Sequence, residues 1–377
     1  MAALTAHFSA ASTAIERCDG VHLAGLLAVT PSHPALAGLP VGGAPVPSPA
    51  ALLEALPRGA QLFPRESSWA RVLAGAVCAS AALAASPPDA LQALGHACGA
   101  LEEFGGPVED AADGWVVAPL LRVARDAMAL LPAARAAAAE DREEAFVVQQ
   151  EKLMNAMRSR FSECNRGERE GGKRAACVVL TNIMCRFFFW LHTPRQARFF
   201  LNAVGKLGLD VDKCPPGVAV TYRYYEGRLS MYEDRLQEAD RALGFAFEQC
   251  HAGEHALAAR LKILEALLPV RLLLGWLPTP ALLEAYGLSA RYGGIVRGLE
   301  KGDLAAYRAG LEDGMEYFVR RGTYLLLDRL QLLVVRSLVK RLCVTTTRAL
   351  AHTRAPPFFF LTRLRGTHTP RPPAHAS

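Results

Sequence analysis

The chain has 377 residues, of which 51% are hydrophobic and 21% charged, and its formal net charge is +6. That length and apolar content fit a folded protein with two or three domains and a sizeable core, not a disordered chain. Ala and Leu dominate and long alternating Val-rich runs are absent, so the composition points to helices.

Charge divides the chain. Residues 1–150 carry 8 Lys+Arg against 15 Asp+Glu, residues 151–341 carry 29 against 21, and residues 342–377 carry five Arg and no acid. A basic middle suits nucleic acid or an acidic protein partner, and also suits an ordinary solvated face. The nine Cys form no C-x-x-C pair and several, such as Cys78, Cys177 and Cys185, lie among apolar residues. This predicts reduced thiols in a cytosolic or nuclear protein. No secretory signal is expected, because the start lacks a basic region and Glu16 and Asp19 arrive early. No run is long and apolar enough to predict a membrane span.

In chain order, residues 1–35 read as an opening helical segment and GLPVGGAPVPSP (38–49) as a Pro/Gly loop. Ala/Leu-rich helices follow from Ala50 to Glu103, broken at Pro57, Pro64 and Pro87–Pro88. EEFGGPVEDAADG (102–114) reads as a loop, and Trp115 to Glu144 as one long helix bent at Pro132. RSRFSECNRGEREGGKR (158–174) is charged and Gly-containing, which predicts a solvated connection. AACVVLTNIMCRFFFWL (175–191) is apolar nearly all round, which predicts a buried helix. Shorter helices follow, with turns at HTP, GLDVDKCPPG, LPTP and LEKGD. After Leu342 the chain turns rich in Thr, Arg and Pro, and reads as a disordered or aberrant basic tail. The expected divisions are an Ala-rich helical region over 1–150, helical repeats over 151–300, the end of the stack over 301–341 and the tail over 342–377.

Catalytic signals are missing. The sequence has no G-x-G-x-x-G, no P-loop, no G-x-S-x-G and no H-E-x-x-H. His251 and His255 share a helical spacing but no third ligand accompanies them, so surface histidines are expected. EDAAD (109–113) has carboxylates at positions that could hold a divalent cation. Its only candidate partner, EDREE (140–144), is interrupted by Arg142. No enzyme, cofactor or metal site is expected.

YRYYEGRLSMYEDRLQEADRALGFAFEQCH (222–251) carries a different signal: Gly227, Ala239 and Ala246 stand twelve and then seven residues apart, with the large Leu243 between them. Antiparallel helices that cross closely need small residues at the crossing. The spacing resembles that of tetratricopeptide repeats, although Arg223 and Ser230 miss their aromatic positions. This supports stacked helical hairpins.

Residues 262–342 extend the pattern. YYEGR (224–228), LLPVRLLLG (267–275) with the following Pro278–Thr279, the KGDL turn (301–304) and FVRRG–LLLDRL (318–330) closely resemble the PCI domain. That module is shared by subunits of the proteasome lid, the signalosome and translation initiation factors. Within it, the chain most closely resembles the PCI domain-containing protein 2 family, subunits of the nuclear-pore transcription-export (TREX-type) complex. The resemblance spans roughly 150–341 and is specific over 220–341. It implies an all-α fold of TPR-like stacked hairpins. The residues agree with it: Pro269 stands where it can bend a buried helix, and the KGDL turn sets Asp303 to cap the next one. It implies a non-enzymatic scaffold in messenger RNA export, at the nuclear pore. The partners implied are a large PCI-type scaffold subunit, a small acidic (Sem/DSS-type) subunit, pore proteins, and RNA or DNA. Membership of another PCI assembly, such as the proteasome lid or a signalosome-associated particle, is the alternative. In the family a winged helix follows the stack. Residues 342–377 carry no such pattern, so that part is expected to be missing or truncated. The candidate contact residues near this break are Arg320, Arg321, Arg336, Lys340 and Arg341, with Arg329 close by. Gly227, Ala239, Ala246 and Pro269 are the candidate packing residues.

Overall fold

The computed structural model describes residues 2–39, 46–56, 67–111, 113–138, 142–166, 172–251, 253 and 256–352. Among these residues every regular element is a helix and none is a strand. The chain forms two compact units, Met1–Val270 and Arg271–Ser377.

In the first unit, α1 (Ala2–Glu16) and α2 (Gly20–Leu26) lead to a 3-10 turn at Pro34–Gly38. The helices α3 (Pro49–Ala55), α4 (Ser68–Ala84) and α5 (Ala90–Glu103) start at Ser48, Ser67 and Asp89. Each of those side chains accepts a hydrogen bond from a first-turn amide, which satisfies a donor that has no partner within its helix. α4 and α5 form a hairpin whose crossing point is Gly75: a Cβ there would lie 2.9 Å from the Ala100 Cβ. The Ala-rich composition of this region therefore serves close packing.

Next come α6 (Gly105–Asp110), α7 (Val117–Ala137) and α8 (Glu143–Arg166). The long helix expected over 115–144 ends at Ala137, and Pro132 lies inside it. The loop expected at 102–114 is largely helical, because Phe104, Pro107 and Val108 are buried and hold α6 in place. The solvated connection expected from residue 158 is also corrected. Leu153, Met154, Met157, Phe161 and Cys164 continue one buried stripe along α8 as far as Arg166. Arg160 belongs to that stripe, donating to the Leu101 carbonyl at 3.1 Å and the Glu102 carbonyl at 2.5 Å, and pairing with Glu163 at 2.6 Å.

α9 (Lys173–Trp190) is the central helix of the unit, packed by α7, α8, α10 (Ala197–Lys206) and α11 (Pro216–Tyr232). α11 pairs with α12 (Leu236–Gln249). Their crossing is at Gly227, where a Cβ would stand 2.6 Å from Leu243 Cγ. Ala239 and Ala246 are fully buried on the facing helix. α13 (Leu257–Leu273) carries Pro269 among buried neighbours from Ile263 to Val270.

The second unit contains α14 (Pro280–Ala285), α15 (Ser289–Lys301), α16 (Leu304–Asp313), α17 (Met315–Arg321), α18 (Tyr324–Asp328) and α19 (Gln331–His352). α15 and α16 cross through Gly294 against Gly310 and Gly298 against Tyr307, which is the reciprocal register of an antiparallel hairpin. The Asp303 carboxylate accepts from the Ala306 amide at 3.0 Å and caps α16. The buried Tyr307 hydroxyl reaches the Leu327 and Asp328 carbonyls at 2.6 and 3.0 Å, and burial raises its pKa to about 12.

The boundaries expected at residues 150, 300 and 341 fall inside α8, α15 and α19. They follow shifts of composition, while the actual division lies within α13. The first part of the tail expected from residue 342 is helical instead, since α19 runs on to His352. Residues 353–377, Pro57, Pro64 and His255 lie outside the described residues.

Candidate functional site

α19 is fixed along one side only. Leu330 just before it and Val334 within it are fully buried. Its middle rests on Gly302, the left-handed C-cap of α15, where a Cβ would lie 2.5 Å from the Leu338 amide nitrogen. Only glycine combines that φ of +67° with so close a backbone approach.

The other side of α19 is open. Leu332 is 77% exposed, Val339 52% and Leu342 56%, and Val335, Leu338 and Val344 are exposed as well. Leu332, Val335, Val339 and Leu342 stand at three- and four-residue intervals, which aligns them in one stripe along the helix. Arg336 and Lys340 run beside that stripe one turn apart, Arg341 lies farther round the helix, and all three are exposed and without an ion pair among the described residues. No acidic residue occurs between Gln331 and His352. Lys340, Arg341, Ser337 and Glu300 line a shallow cavity of about 420 Å³ beside the stripe.

The structure thus sets Lys340 and Arg341 on one cavity, with Arg336 one turn before Lys340 on the same helix. Arg320 and Arg321 lie on a different helix and are already engaged. Arg320 pairs with Glu316, and Arg321 stands 5.6 Å from the Tyr317 ring centroid. Arg291 stands 5.0 Å from the same ring, so Tyr317 has two cations against it. Sequence reading missed Tyr317 and the exposed Met315, Val319 and Leu325, because α17 and α18 are too short to show a helical period. Gly227, Ala239, Ala246 and Pro269 lie in the first unit's helices and pack there.

Magnitudes rank the two parts of the face. Burying a Leu or Val side chain stabilises an interface by roughly 1.5–3 kcal/mol, while an exposed ion pair contributes about 0–1 kcal/mol. The apolar stripe therefore dominates affinity, and the cations orient and attract. Among the described residues no three His, Cys, Asp or Glu side chains are grouped to hold a metal ion. EDAAD gathers no further ligand there, and no described helix is long and apolar enough to cross a membrane.

No family model matches the chain. It is 33% identical over 177 residues to a PCI domain-containing protein of Schizosaccharomyces pombe, covering 46% of this chain and 40% of that protein. It is 30% identical over 191 residues to PCI domain-containing protein 2 of Danio rerio, covering 51% and 47%. It is 28% identical over 270 residues to the Drosophila melanogaster homolog, covering 70% and 66%. The chain is similar to proteins named PCI domain-containing protein 2. It spans less than half the length of the fission-yeast and zebrafish relatives. The all-helical stack is consistent with the helical part of a PCI domain. α19 is the last described helix of the chain, and its open face is the candidate site.

Proposed function

We propose that the chain is a non-enzymatic scaffold subunit of a nuclear, transcription-coupled messenger RNA export complex. It pairs with a large PCI-type scaffold subunit and a small acidic subunit, works at the nuclear pore, and contacts RNA or DNA through its basic surface. The observation that carries this reading is α19, a helix packed on one side and apolar, basic and acid-free on the other. The likeness to PCI domain-containing protein 2 supports the choice of complex.

The test is affinity purification of the tagged chain from its native cells, followed by mass spectrometry. Recovery of a large PCI-type scaffold with pore proteins is expected, and its loss in a Leu332→Asp, Val339→Asp double variant. Recovery of proteasome-lid or signalosome subunits instead would overturn the export role and leave the scaffold role standing.

A further inference from the structure

Two glycines of the α4–α5 hairpin stand in opposite surroundings. Gly75 is required by the crossing, where a Cβ would meet the Ala100 Cβ at 2.9 Å. Gly99 on α5 has nothing among the described residues within 4 Å of where its Cβ would stand. A glycine inside a helix weakens that helix. The chain's own packing asks for none at Gly99, so the bare backbone there leaves room for something from outside. Gly99 lines a cavity of about 610 Å³ enclosed by α3, α4 and α5. Pro49, Ala50 and Leu53 of α3 form its apolar wall.

The charges at this cavity are mainly acidic. Glu54, Glu102 and Glu103 line it, and Arg71 is the one cation among the described lining residues. Arg71 is already held by Glu103, Nε to Oε2 at 2.6 Å. His96 also lines the cavity, and burial lowers its pKa below the ordinary histidine value, so the ring adds no positive charge at neutral pH. Glu54 on α3 and Glu102 on α5 are exposed, and Glu102 has no ion pair among the described residues.

We propose that this cavity docks a short basic segment of a partner protein, with one large apolar side chain seated over Gly99 against Leu53. The glycine and the apolar wall receive the anchor, and the carboxylates on α3 and α5 receive the flanking Lys or Arg side chains. A nucleic-acid strand fits badly, because its phosphates would meet those carboxylates. Acids spread over two helices suit a chain that runs across the opening better than a single small cation. The inference concerns a surface of the first unit, apart from α19, and does not rest on the export reading.

The probe is a fluorescein-labelled peptide of about twelve residues, Lys/Arg-rich around a single Leu, titrated with the full chain and read by anisotropy. Binding is expected, and Gly99→Leu, which fills the space over the backbone, should weaken it roughly tenfold. That variant exchanges a glycine for a strong helix former, so its melting temperature should stay at or above the parent's. Glu102→Arg lies at an exposed position and should weaken binding by a similar factor with an unchanged circular-dichroism spectrum, which decides the matter alone if Gly99→Leu does not fold. A Leu-to-Gly peptide should bind the parent roughly tenfold more weakly, and rising salt should weaken binding further. The proposal is overturned if the basic peptide does not bind, or if the folded variants bind it as the parent does. It is also overturned if the Leu-to-Gly peptide binds as tightly as the Leu peptide, or if an oligo-dT probe binds with Gly99→Leu-sensitive affinity while the peptide does not.

Discussion

α9 and α19 are both long, apolar, basic and free of acidic residues. α9 is enclosed by α7, α8, α10 and α11, and eleven of its residues are buried. α19 is packed by α15 and α16, and most of its apolar side chains stay exposed. The same kind of sequence thus makes a core helix in one unit and an open face in the other. What differs is how many neighbours the topology supplies. An apolar helix says that something covers it, and only the fold says whether the cover lies within the chain.

The contrast is sharpest in stability. Phe188→Ala removes a ring that is 1% exposed on α9, and should cost about 3–5 kcal/mol in urea unfolding. Next in size is Gly302→Val. It sets a branched side chain at φ +67° against the backbone of α19, and should cost about 3 kcal/mol. Hydrogen exchange should then speed up in α19 amides and stay unchanged in α9.

A smaller effect separates the buried start of the first unit from solvent. Burial, and then the His33 ring at 4.8 Å, lower the His7 pKa from 6.5 to about 4. Between those values the unfolded chain binds a proton that the folded chain does not, so stability falls as pH drops from about 6.5 to about 4. His7→Phe should flatten that part of the pH–stability profile. The smallest effect tests α19 itself. Leu332→Asp should change unfolding free energy by no more than about 0.5 kcal/mol. A loss comparable to that of Phe188→Ala would break the contrast, since it would mean that α19 is covered from within.

Much of the fold was legible. The helical class followed from composition, the burial of 175–191 from an apolar run with no polar face, and the crossing at Gly227 from small-residue spacing. The Asp303 cap followed from a Gly-Asp turn ahead of an apolar run. Other features were hidden for physical reasons. Charged residues at 158–166 suggested solvent, yet Arg160 is buried by donating to two carbonyls at the end of α5, a partnership between residues some sixty positions apart. The Thr-rich run after Leu342 suggested an end to structure. Thr345, Thr346 and Thr347 instead turn their hydroxyls back onto carbonyls three to four residues earlier, so their polar groups are satisfied within a helix that runs on. At the candidate site the basic residues could be read off, and helical spacing put Arg336, Lys340 and Arg341 on overlapping faces of one helix, but that Arg320 and Arg321 are engaged elsewhere could not be read. Arg320 and Arg321 are close to Arg336 in sequence and lie on another helix.

The cysteines carry a consequence of their own. Cys78, Cys98, Cys164, Cys177 and Cys185 are buried on α4, α5, α8 and α9, and burial lifts their pKa values to about 11–12, so they are almost wholly thiol at neutral pH. Cys18 and Cys343 are exposed. An alkylating reagent therefore meets two fast sites at opposite ends of the described chain and a set of silent ones in successive layers between. The silent sites keep time on the opening of each layer, and Cys343, one residue past Leu342, goes quiet when a partner lies down on α19.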